Sequence, residues 1–390
     1  MLTTDSFSYT LPDVLIAKYP ATSRTASRLL CLDGGTGQIQ HQQFADIVEL
    51  INPGDLLILN NTKVMSARLF GRKQSGGKVE LLIDKITDQQ TAIAYIKSSK
   101  PVKPGTVIQL ERAKIEIKTE AEVETGVVLN AIPAAVIIIA RMDTNDGRYV
   151  IGVHNRAASI AAILDSYGNI PLPPYMKRNA EITDSSRYQT VYSKELGSVA
   201  APTAGLHFDA ELLQTLVAKG VNFAEVTLHI GSGTFQPVRV TNIADHQMHM
   251  EQVTVSQEVC DKIVATKAAG GRVFAVGTTA TRAVETAAKA AATDKVTVTD
   301  KTTGITAAAA TNIIQPYHGD TNLFITPGFN FKVIDGMITN FHLPCSTLLM
   351  LVCALAGTEN VLHAYLVAVQ QEYRFYSYGD AMFVIGGTKG

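Results

Sequence analysis

The sequence predicts an α/β protein, in which a larger α/β domain is interrupted by a small inserted antiparallel β-barrel domain. Short apolar or alternating runs recur between Lys78 and Val153, with the spacing of an antiparallel barrel or sandwich. On both sides of this region, short apolar strands occur together with stretches of helical periodicity. We therefore assign residues 1–62 and 155–390 to the α/β domain and residues 63–154 to the barrel.

The predicted barrel strands are mostly separated by clusters of Gly, Pro, Asp and Asn, which favour turns. Their alternation of apolar and polar residues is typical of strands with one buried face. In chain order they are "KVELLI", "TAIAYIK", "TVIQLE", "KIEIKTE", "GVVLNA", "AAVIIIA" and "RYVIGV".

The α/β domain contains predicted strands at "DLLILN" and "RVFAVG" and two helices with recognisable ends. The helix over "DAELLQTLVAKG" has Asp209 as its N-cap and Gly220 at its end. The helix over "ATRAVETAAKAAA" directly follows Gly277, with Thr278 or Thr279 as its cap. A strand, a tight turn and a helix N-terminus in succession are typical of a ligand site.

The longest apolar run extends from Leu343 to Ala356 and is interrupted by Pro344. It falls short of the roughly 20 residues that a membrane-spanning helix needs. Ser346 is placed as an N-cap and Gly357 as the residue after the last turn, so we predict a buried helix.

Composition excludes several classes of protein. A chain of 390 residues with 46% hydrophobic and 18% charged residues can bury a large core. Its net charge of -1 argues against a polycationic coat that binds DNA non-specifically. The four cysteines form no CxxC pair, and "MLTTDSFSYT" is no secretory signal. We expect a cytoplasmic protein without a membrane span, bound DNA or a structural metal.

The stretch "GSVAAPTAGLHF", Gly197 to Phe208, is predicted to be a pocket wall, because small residues let a ligand approach the backbone. In "LHIGSGTF", Gly231 and Gly233 flank Ser232, where backbone N–H groups are able to face a polar ligand, although a plain turn explains the pattern as well. The hydroxyls of Ser346 and Thr347 either cap their helix or also receive an anion.

Three histidines, His207, His229 and His342, lie among small or apolar residues, and an ordinary imidazole transfers protons near neutral pH. A core histidine with satisfied hydrogen bonds is the alternative for each. The stretch "DHQMHMEQ" offers possible metal ligands in Asp245, His246, His249 and Glu251. It lacks the HExxH spacing and supporting cysteines, which disfavours a metal site.

Basic and aromatic residues suggest a nucleic-acid surface. Between Asn60 and Gly77 the basic residues occur without a carboxylate, and "RYQTVY" and "YRFYSYGD" interleave arginine with tyrosine, on which unpaired bases stack. A solvated charged face and core packing are the alternatives. The basic candidates are Lys63, Arg68, Arg72, Lys73, Lys78, Lys177 and Arg178.

Taken together, these stretches resemble the S-adenosylmethionine:tRNA ribosyltransferase-isomerases. The likeness covers nearly the whole chain and is weakest in the barrel. It rests on "LPDVLIAKYP", "SRLLCLD", "NPGDLLILNNTKV", "ARLFGRK", "PLPPY", "RYQTVY", "GSVAAPTAGLHF", "LHIGSGTFQPV", "HQMHMEQ", "VFAVGTTATRAVE", "ITNFHLPCSTLLMLVCALAG" and "YRFYSYGDAM".

The resemblance implies an α/β domain with an inserted barrel and an enzyme that uses S-adenosylmethionine as a ribosyl donor. The acceptor is 7-aminomethyl-7-deazaguanine at the wobble position of a tRNA with a GUN anticodon. The sugar is isomerised to give epoxyqueuosine, and adenine and methionine are released. No metal is implied, and we expect a monomer.

The implied reaction needs two proton transfers, because the sulfonium acidifies the adjacent C5′ protons and adenine leaves more easily when protonated. We assign one transfer to His207 and the other to His342 or Asp380. Donor-binding residues are expected at Thr203, Gly205, Phe208, His229, Gly231, Gly233, Gly277, Thr278, Thr279, Arg282, Ser346 and Thr347. tRNA-binding residues are expected at Lys63, Arg68, Arg72, Tyr175, Arg187, Arg374 and Tyr378.

Within these assignments, Arg282 and Arg374 are candidates for a bidentate contact to the methionine carboxylate or a tRNA phosphate. Tyr175, Phe208 and Tyr378 are candidates for the aromatic platform of a flipped base. The sequence departs from the family pattern at Asn61, Ser232, Gln236 and Cys345. Two of these, Gln236 and Cys345, replace basic residues and are expected to weaken contacts to tRNA or carboxylate.

Two other functions are alternatives to a ribosyltransferase-isomerase. A methyltransferase is suggested by "VFAVGTTATRAVE" alone, but its turn lacks the glycines of a dinucleotide-type loop. A tRNA-binding protein without catalysis is the second, and the histidines in small-residue loops argue against it.

Overall fold

The computed structural model describes residues 2–112, 134–142, 147–154, 158–235, 238–293, 297–299, 306–308 and 313–387. Two predicted strands, "KIEIKTE" and "GVVLNA", lie outside these described residues, and so does Gln236.

A large mixed sheet forms the centre of the α/β body. In the described part of the chain it has nine strands, whose order across the sheet is β17-β13-β12-β3-β14-β18-β19-β1-β2. These strands are β1 (Arg28–Asp33), β2 (Ile39–Gln43), β3 (Leu56–Asn60), β12 (Asn222–Leu228), β13 (Glu251–Val255), β14 (Val273–Val276), β17 (Tyr317–Thr321), β18 (Gly336–Asn340) and β19 (Ala381–Ile385).

The barrel is closed by six described strands in the order β10-β7-β6-β5-β8-β9, and all six pairings are antiparallel. Its strands alternate buried and more exposed residues, as their sequence pattern predicts. They are β5 (Arg68–Lys73), β6 (Lys78–Ile86), β7 (Thr91–Ser98), β8 (Val107–Glu111), β9 (Ala135–Arg141) and β10 (Arg148–Val153). Short strands elsewhere are β4 (Thr62–Val64), β11 (Glu195–Ser198), β15 (Thr297–Thr299) and β16 (Thr306–Ala308).

Eight α-helices lie in the described part of the chain. Their caps follow the sequence: Asp209 accepts from Leu212 N at 2.8 Å, Ser346 accepts from Leu349 N at 3.2 Å, and Gly220 adopts a φ of +92°. They are α1 (Ile47–Leu50), α2 (Ile160–Tyr167), α3 (Asp184–Arg187), α4 (Ala210–Ala218), α5 (Gln257–Ala268), α6 (Thr278–Thr293), α7 (Thr347–Ala356) and α8 (Thr358–Gln370).

The predicted fold class is confirmed by this closed antiparallel barrel and the large mixed sheet. β5 was not among the strands predicted from pattern, because "ARLFGRK" carries three basic residues and was interpreted as a basic patch. The division at residues 62/63 and 154/155 stays a prediction.

The apolar run at Leu343 to Ala356 contains the helix α7, and Leu349 to Cys353 are all buried. Among the described residues, no single helix is long and apolar enough to cross a membrane. The pair α7 and α8 meets the length and composition criteria together, but its axis bends by 116° at the break.

Candidate active site

One edge of the large sheet gathers chain ends from six strands. β12, β3, β14 and β18 run parallel, so their carboxyl ends meet at this edge. β19 runs antiparallel to β18, with Ala381 opposite Asn340, and β1 is parallel to β19. The residues just before β19 and β1, Asp380 and Ser27, therefore join the same edge. Open α/β sheets bind ligands at the carboxyl ends of their strands.

Three side chains form a hydrogen-bonded chain at this edge. Ser27 Oγ lies 2.7 Å from His207 Nδ1, and Asn340 Nδ2 lies 2.9 Å from His207 Nε2. Asn340 Nδ2 also donates to the carbonyl oxygen of Tyr376 at 3.0 Å, which fixes this atom as the amide nitrogen. Nε2 of His207 therefore accepts from Asn340, and its Nδ1–H donates to Ser27. The imidazole is neutral in this arrangement.

The environment of His207 keeps it neutral. Its ring stacks on Phe44 with 5.0 Å between centroids and is 4% exposed. Burial, together with the positive charges of Arg24 and Arg374, lowers the pKa of His207 to about 3. Such an imidazole is a weak base near pH 7, and both of its nitrogens are already in hydrogen bonds. The geometry thus favours a positioning role over the predicted proton transfer.

The side-chain oxygen of Asn340 is a buried hydrogen-bond acceptor without a donor among the described residues. This side chain is 1% exposed, and its Oδ1 has no hydrogen-bond partner among the described residues. The hydroxyl of Tyr376, whose ring packs on Tyr175, is likewise buried without one. Tyr376 also holds a φ of 71°, which is strained for a residue with a side chain. Buried polar atoms without partners are costly, so this acceptor and this donor are suited to a bound molecule.

A small cleft opens beside His207. Its cavity volume is about 20 Å³, and its wall includes three of the predicted site residues, Arg187, His207 and Tyr378. Its other lining residues are Pro20, Ala21, Ser23, Arg24, Ser27, Leu206, Ser377 and Gly379.

The predicted second proton carriers make structural contacts. Asp380 accepts from the backbone N–H groups of Arg28 at 2.9 Å and Arg374 at 2.8 Å, although burial raises its pKa. His342 Nε2 is 2.7 Å from Thr339 Oγ1, and burial lowers the pKa of His342 to about 3. Both residues thus hold the loops of the edge in place.

The bare stretch Gly197 to Phe208 is partly explained by the protein's own packing. A Cβ at Gly205 would overlap the Tyr192 hydroxyl, and a Cβ at Gly197 would lie 2.8 Å from the ring of His229. Thr203 and Gly205 belong to a short 3₁₀ turn that ends at His207. Packing against Tyr192 at Gly205 and against His229 at Gly197 therefore accounts for the two glycines.

The turn before α6 faces the same stretch. Gly277 has a φ of +93°, which favours glycine, and a Cβ there would lie 3.5 Å from that of Ala204. Thr278 is buried, and Thr279 Oγ1 accepts from Asn60 Nδ2 at 3.1 Å. The predicted succession of strand, turn and helix is therefore present at the carboxyl edge of the sheet.

His229 differs from the other two histidines. Its Nδ1 lies 2.8 Å from Thr62 Oγ1, and no hydrogen bond reaches Nε2 from the part of the chain that the structure describes. Burial lowers the pKa of His229, and Glu195 partly opposes this effect. Its second nitrogen is free for a ligand.

The glycine loop after β12 does not line the cleft. Ser232 Oγ donates to Asp84 of the barrel at 2.5 Å, and Gly231 N donates to Glu251 at 3.1 Å. Gly233 packs on His249. Glu251 in turn forms a buried ion pair with Arg282, while Nη2 of Arg282 has no hydrogen-bond partner among the described residues. Arg282 does not line the cleft, and its predicted carboxylate contact stays a prediction. This loop connects the barrel to the sheet.

A second, larger groove runs between the barrel and the segment that contains "PLPPY". Its cavity volume is about 640 Å³, and it combines basic residues with the ring of Tyr95. Its lining includes Arg68, Leu82, Tyr95, Ile96, Lys97, Leu172, Pro173, Pro174, Lys177, Arg178 and Ser232, with Glu80 and Asn179. Arg68 also contacts Glu80 at 3.3 Å, so its charge is partly neutralised.

Comparison with known proteins identifies the family. The sequence model of the queuosine biosynthesis proteins matches residues 4–384. The chain belongs to the queuosine biosynthesis protein family. Its structure is similar to the crystal structure of an S-adenosylmethionine tRNA ribosyltransferase from Thermotoga maritima, with 31% identity and a TM-score of 0.50. The match covers 97% of this chain and 100% of that one. Both names agree with the predicted enzyme class.

The remaining predicted residues of this queuosine biosynthesis protein are spread over the surface and the core. Phe208 is fully buried against Phe44, so it offers no free face for a base. Tyr175 bonds Ser377 at 2.5 Å, and Tyr378 donates to Asp184 at 2.7 Å. Lys63 is exposed, and Arg72 pairs with Glu111 at 2.5 Å. Ser346 and Thr347 are confirmed as the start of α7.

Cys345, one of the departures from the family pattern, lies two residues before α7 in the left-handed region of the backbone. Cys345 has a φ of 59°, and burial raises the pKa of its thiol.

In the described part of the chain, no group of three His, Cys, Asp or Glu side chains is arranged to hold a metal ion. His246 packs edge-on against Phe324 and Glu251 pairs with Arg282, so these two face different partners.

Four residues of the edge were not found from the sequence: Arg24, Ser27, Asn340 and Ser377. A signal existed for Asn340, because a polar residue at the carboxyl end of a buried strand often faces a ligand. No local pattern marks Ser27 and Arg24, since they reach the edge only through the reversed direction of β19.

Proposed function

We propose that the protein transfers the ribosyl group of S-adenosylmethionine to 7-aminomethyl-7-deazaguanine at the wobble position of a tRNA with a GUN anticodon. The transferred sugar is isomerised to give epoxyqueuosine, with release of adenine and methionine. The protein acts as a cytoplasmic monomer, without DNA, membrane or metal. The observation that carries this proposal is the family match over residues 4–384, which includes the whole described edge of the sheet.

The residues at the edge fit such a donor. The sulfonium of S-adenosylmethionine makes the adjacent C5′ protons acidic, and its ribosyl bond to adenine weakens when a ring nitrogen gains a proton. The donor presents N–H and O–H groups, for which the buried Oδ1 of Asn340 is an unused acceptor. The Tyr376 hydroxyl is a second buried polar atom without a partner among the described residues, on a residue whose carbonyl oxygen accepts from Asn340. Together they support binding of a polar nucleoside at this edge.

His207 orients this acceptor. Its Nε2 holds Asn340 Nδ2, and Ser27 holds its Nδ1, so the amide is unable to turn over without losing two hydrogen bonds. Because His207 is neutral, it adds no charge near a cationic sulfonium. The proton transfers then belong to groups with a free atom, and His229 Nε2 is one of these.

The larger groove suits the tRNA. A base that leaves the anticodon stack needs an aromatic face and cations for the flanking phosphates. Tyr95 supplies the ring, and Lys97, Lys177 and Arg68 line the same groove. Lys177 is held by Asp13 at 2.9 Å in an exposed pair, which contributes little to stability and is easily exchanged for a phosphate.

The test follows two isotopic labels in one reaction. The purified protein is incubated with tRNA bearing the aminomethyl-deazaguanine and with S-adenosylmethionine labelled in either its ribosyl or its methyl carbons. Mass spectrometry of the nucleosides is expected to find the ribosyl label in epoxyqueuosine, with an equal amount of free adenine. A methyl label in the tRNA would support a methyltransferase instead, and bound tRNA without adenine release would support a binding protein.

A further inference from the structure

Two arginines beside His207, Arg24 and Arg187, each donate hydrogen bonds to backbone carbonyls near the other. Arg24 donates to the carbonyl oxygens of Leu206, Ser186 and Gln189 at 3.1, 2.9 and 2.8 Å. Arg187 donates to those of Thr22 and Ala21 at 3.2 and 2.8 Å. Each guanidinium is therefore held by the backbone next to the other arginine, which fixes both charges at the mouth of the cleft.

These two charges have no ion-pair partner among the described residues, and Asp209 acts on Arg24 only from beyond contact distance. In the part of the chain that the structure describes, no carboxylate lies within ion-pair distance of Arg24, Arg187 or Arg374. Burial and the charge of Arg187 lower the pKa of Arg24. Nε of Arg187 is buried without a hydrogen-bond partner. Fixed like charges of this kind are unfavourable unless an anion joins them.

The cleft between them also has hydroxyl donors. Arg24 and Arg187 line it together with Ser27 and Ser377. Guanidinium forks bind carboxylates and phosphates with two parallel hydrogen bonds.

We propose that Arg24 and Arg187 form an oxyanion-binding subsite that receives an anionic group of one substrate beside His207. This inference rests on the proposed function, which offers two sources of such a group: the methionine carboxylate of the donor and a backbone phosphate of the tRNA. Arg24 is then a binding residue with a role that the sequence motifs did not assign to it.

The first test needs no variant. Binding of S-adenosylmethionine is compared with that of its decarboxylated analogue, and binding of an anticodon stem-loop is compared with that of stem-loops in which single phosphates are neutral methylphosphonates. Loss of the bound oxyanion is expected to weaken binding about ten- to a hundredfold. If neither the carboxylate nor any single phosphate has an effect above twofold, the proposal is wrong.

The second test locates the effect. Arg24→Gln and Arg187→Gln are expected to remove the difference between the two donors, or between the phosphate and methylphosphonate stem-loops, whereas exposed Arg141→Gln leaves it unchanged. Arg187→Lys keeps the charge but loses the fork, so it is expected to restore only part of the affinity. Folding of each variant is checked by thermal unfolding.

The outcomes separate the sources and the two proposals. If the variants lose affinity only for S-adenosylmethionine, the subsite binds the methionine carboxylate. If they lose affinity only for the stem-loop, and the salt dependence of binding has a slope lower by about 1, the subsite binds a phosphate. Folded variants that keep the full difference would overturn the subsite. All these readouts are binding constants, so failure of turnover by the unaltered protein would contradict the proposed reaction and leave the subsite standing.

Discussion

The amide nitrogen of Asn340 donates to Nε2 of His207 at 2.9 Å, and this contact fixes the states of both side chains. It keeps His207 neutral with its proton on Nδ1, towards Ser27. It also leaves Asn340 Oδ1 as a buried acceptor without a partner among the described residues. The edge of the sheet thus presents an oriented acceptor rather than a proton carrier.

The variant Asn340→Asp tests this contact. A carboxylate would face the lone pair of His207 Nε2 and the carbonyl oxygens of Tyr376 and Asp380, so all three contacts become repulsive. We expect a loss of about 3 kcal/mol in the free energy of unfolding at pH 7.5, as for other buried charges without a partner. Urea titrations at pH 7.5 and 5 should show a smaller loss at pH 5, where the acid is more often protonated. The exposed Asn222→Asp is the control.

The buried histidines predict acid sensitivity. Folding lowers the pKa of His207 and His342 from 6.5 to about 3, so the unfolded chain binds more protons between these values. The contribution of the neutral histidines to the free energy of unfolding is therefore complete above pH 6.5. It is lost as the pH falls towards 3, by roughly 1 kcal/mol per pH unit for each histidine. The free energy of unfolding, measured from pH 7 to 4, should fall less steeply in His207→Gln than in the unaltered protein. An unchanged slope would contradict the neutral state assigned to His207.

The same variant distinguishes positioning from proton transfer by His207. Gln places an amide where Nε2 lies, so His207→Gln should retain more activity than His207→Ala, which leaves Asn340 free to turn. We expect kcat/KM to fall about ten- to a hundredfold in His207→Ala. The pH profile of kcat/KM should keep its shape in both variants. Loss of one limb of the profile would assign the proton transfer to His207 after all.

The link between Asp84 and Ser232 predicts an effect on tRNA alone. Asp84 Oδ1 accepts from the Ser232 backbone N–H at 3.1 Å and from its hydroxyl at 2.5 Å. Asp84→Ala should free the barrel from the glycine loop and raise the KM for tRNA several-fold, while the affinity for S-adenosylmethionine changes by less than about twofold. Asp165→Ala, at an exposed position of α2, is the matched control. An equal loss for both substrates would contradict a role confined to the groove.

The buried pair of Glu251 and Arg282 predicts non-additive stability. Both side chains are under 10% exposed. Glu251→Gln or Arg282→Met alone should cost about 3 to 5 kcal/mol, because each leaves a buried charge without its partner. The double variant should cost clearly less than the sum, which denaturant titrations of all four proteins would measure. Additive losses, with weaker S-adenosylmethionine binding in Arg282→Met, would return Arg282 to the predicted carboxylate contact.

Local patterns predicted the elements of this fold well. The helix boundaries are as expected, because caps depend on a few neighbouring residues. Two helices have Asp209 and Ser346 as their N-caps and are followed by Gly220 and Gly357. The alternation in the barrel strands depends only on the pleat, so it is visible in the sequence. β5 was missed because its outward-facing basic residues outweigh its buried Leu69.

The site was predictable only in part, because it is assembled from distant segments. His207 and Gly277 were singled out from their loops, and the structure places both at the carboxyl edge of the sheet. Arg282 could not be separated from Arg24 by sequence. Only the fold shows that Arg282 has a buried carboxylate partner and that Arg24 has no ion-pair partner among the described residues. The reversal of β19, which brings Ser27 to His207, has no local signal.

The most direct test of the account is a crystal structure of the protein with S-adenosylmethionine bound. We predict the nucleoside at the carboxyl edge of the sheet, with one of its N–H or O–H groups about 3 Å from Asn340 Oδ1 and His207 still holding Asn340 Nδ2. A donor bound in the groove beside Tyr95, with Asn340 Oδ1 left unpaired, would contradict it.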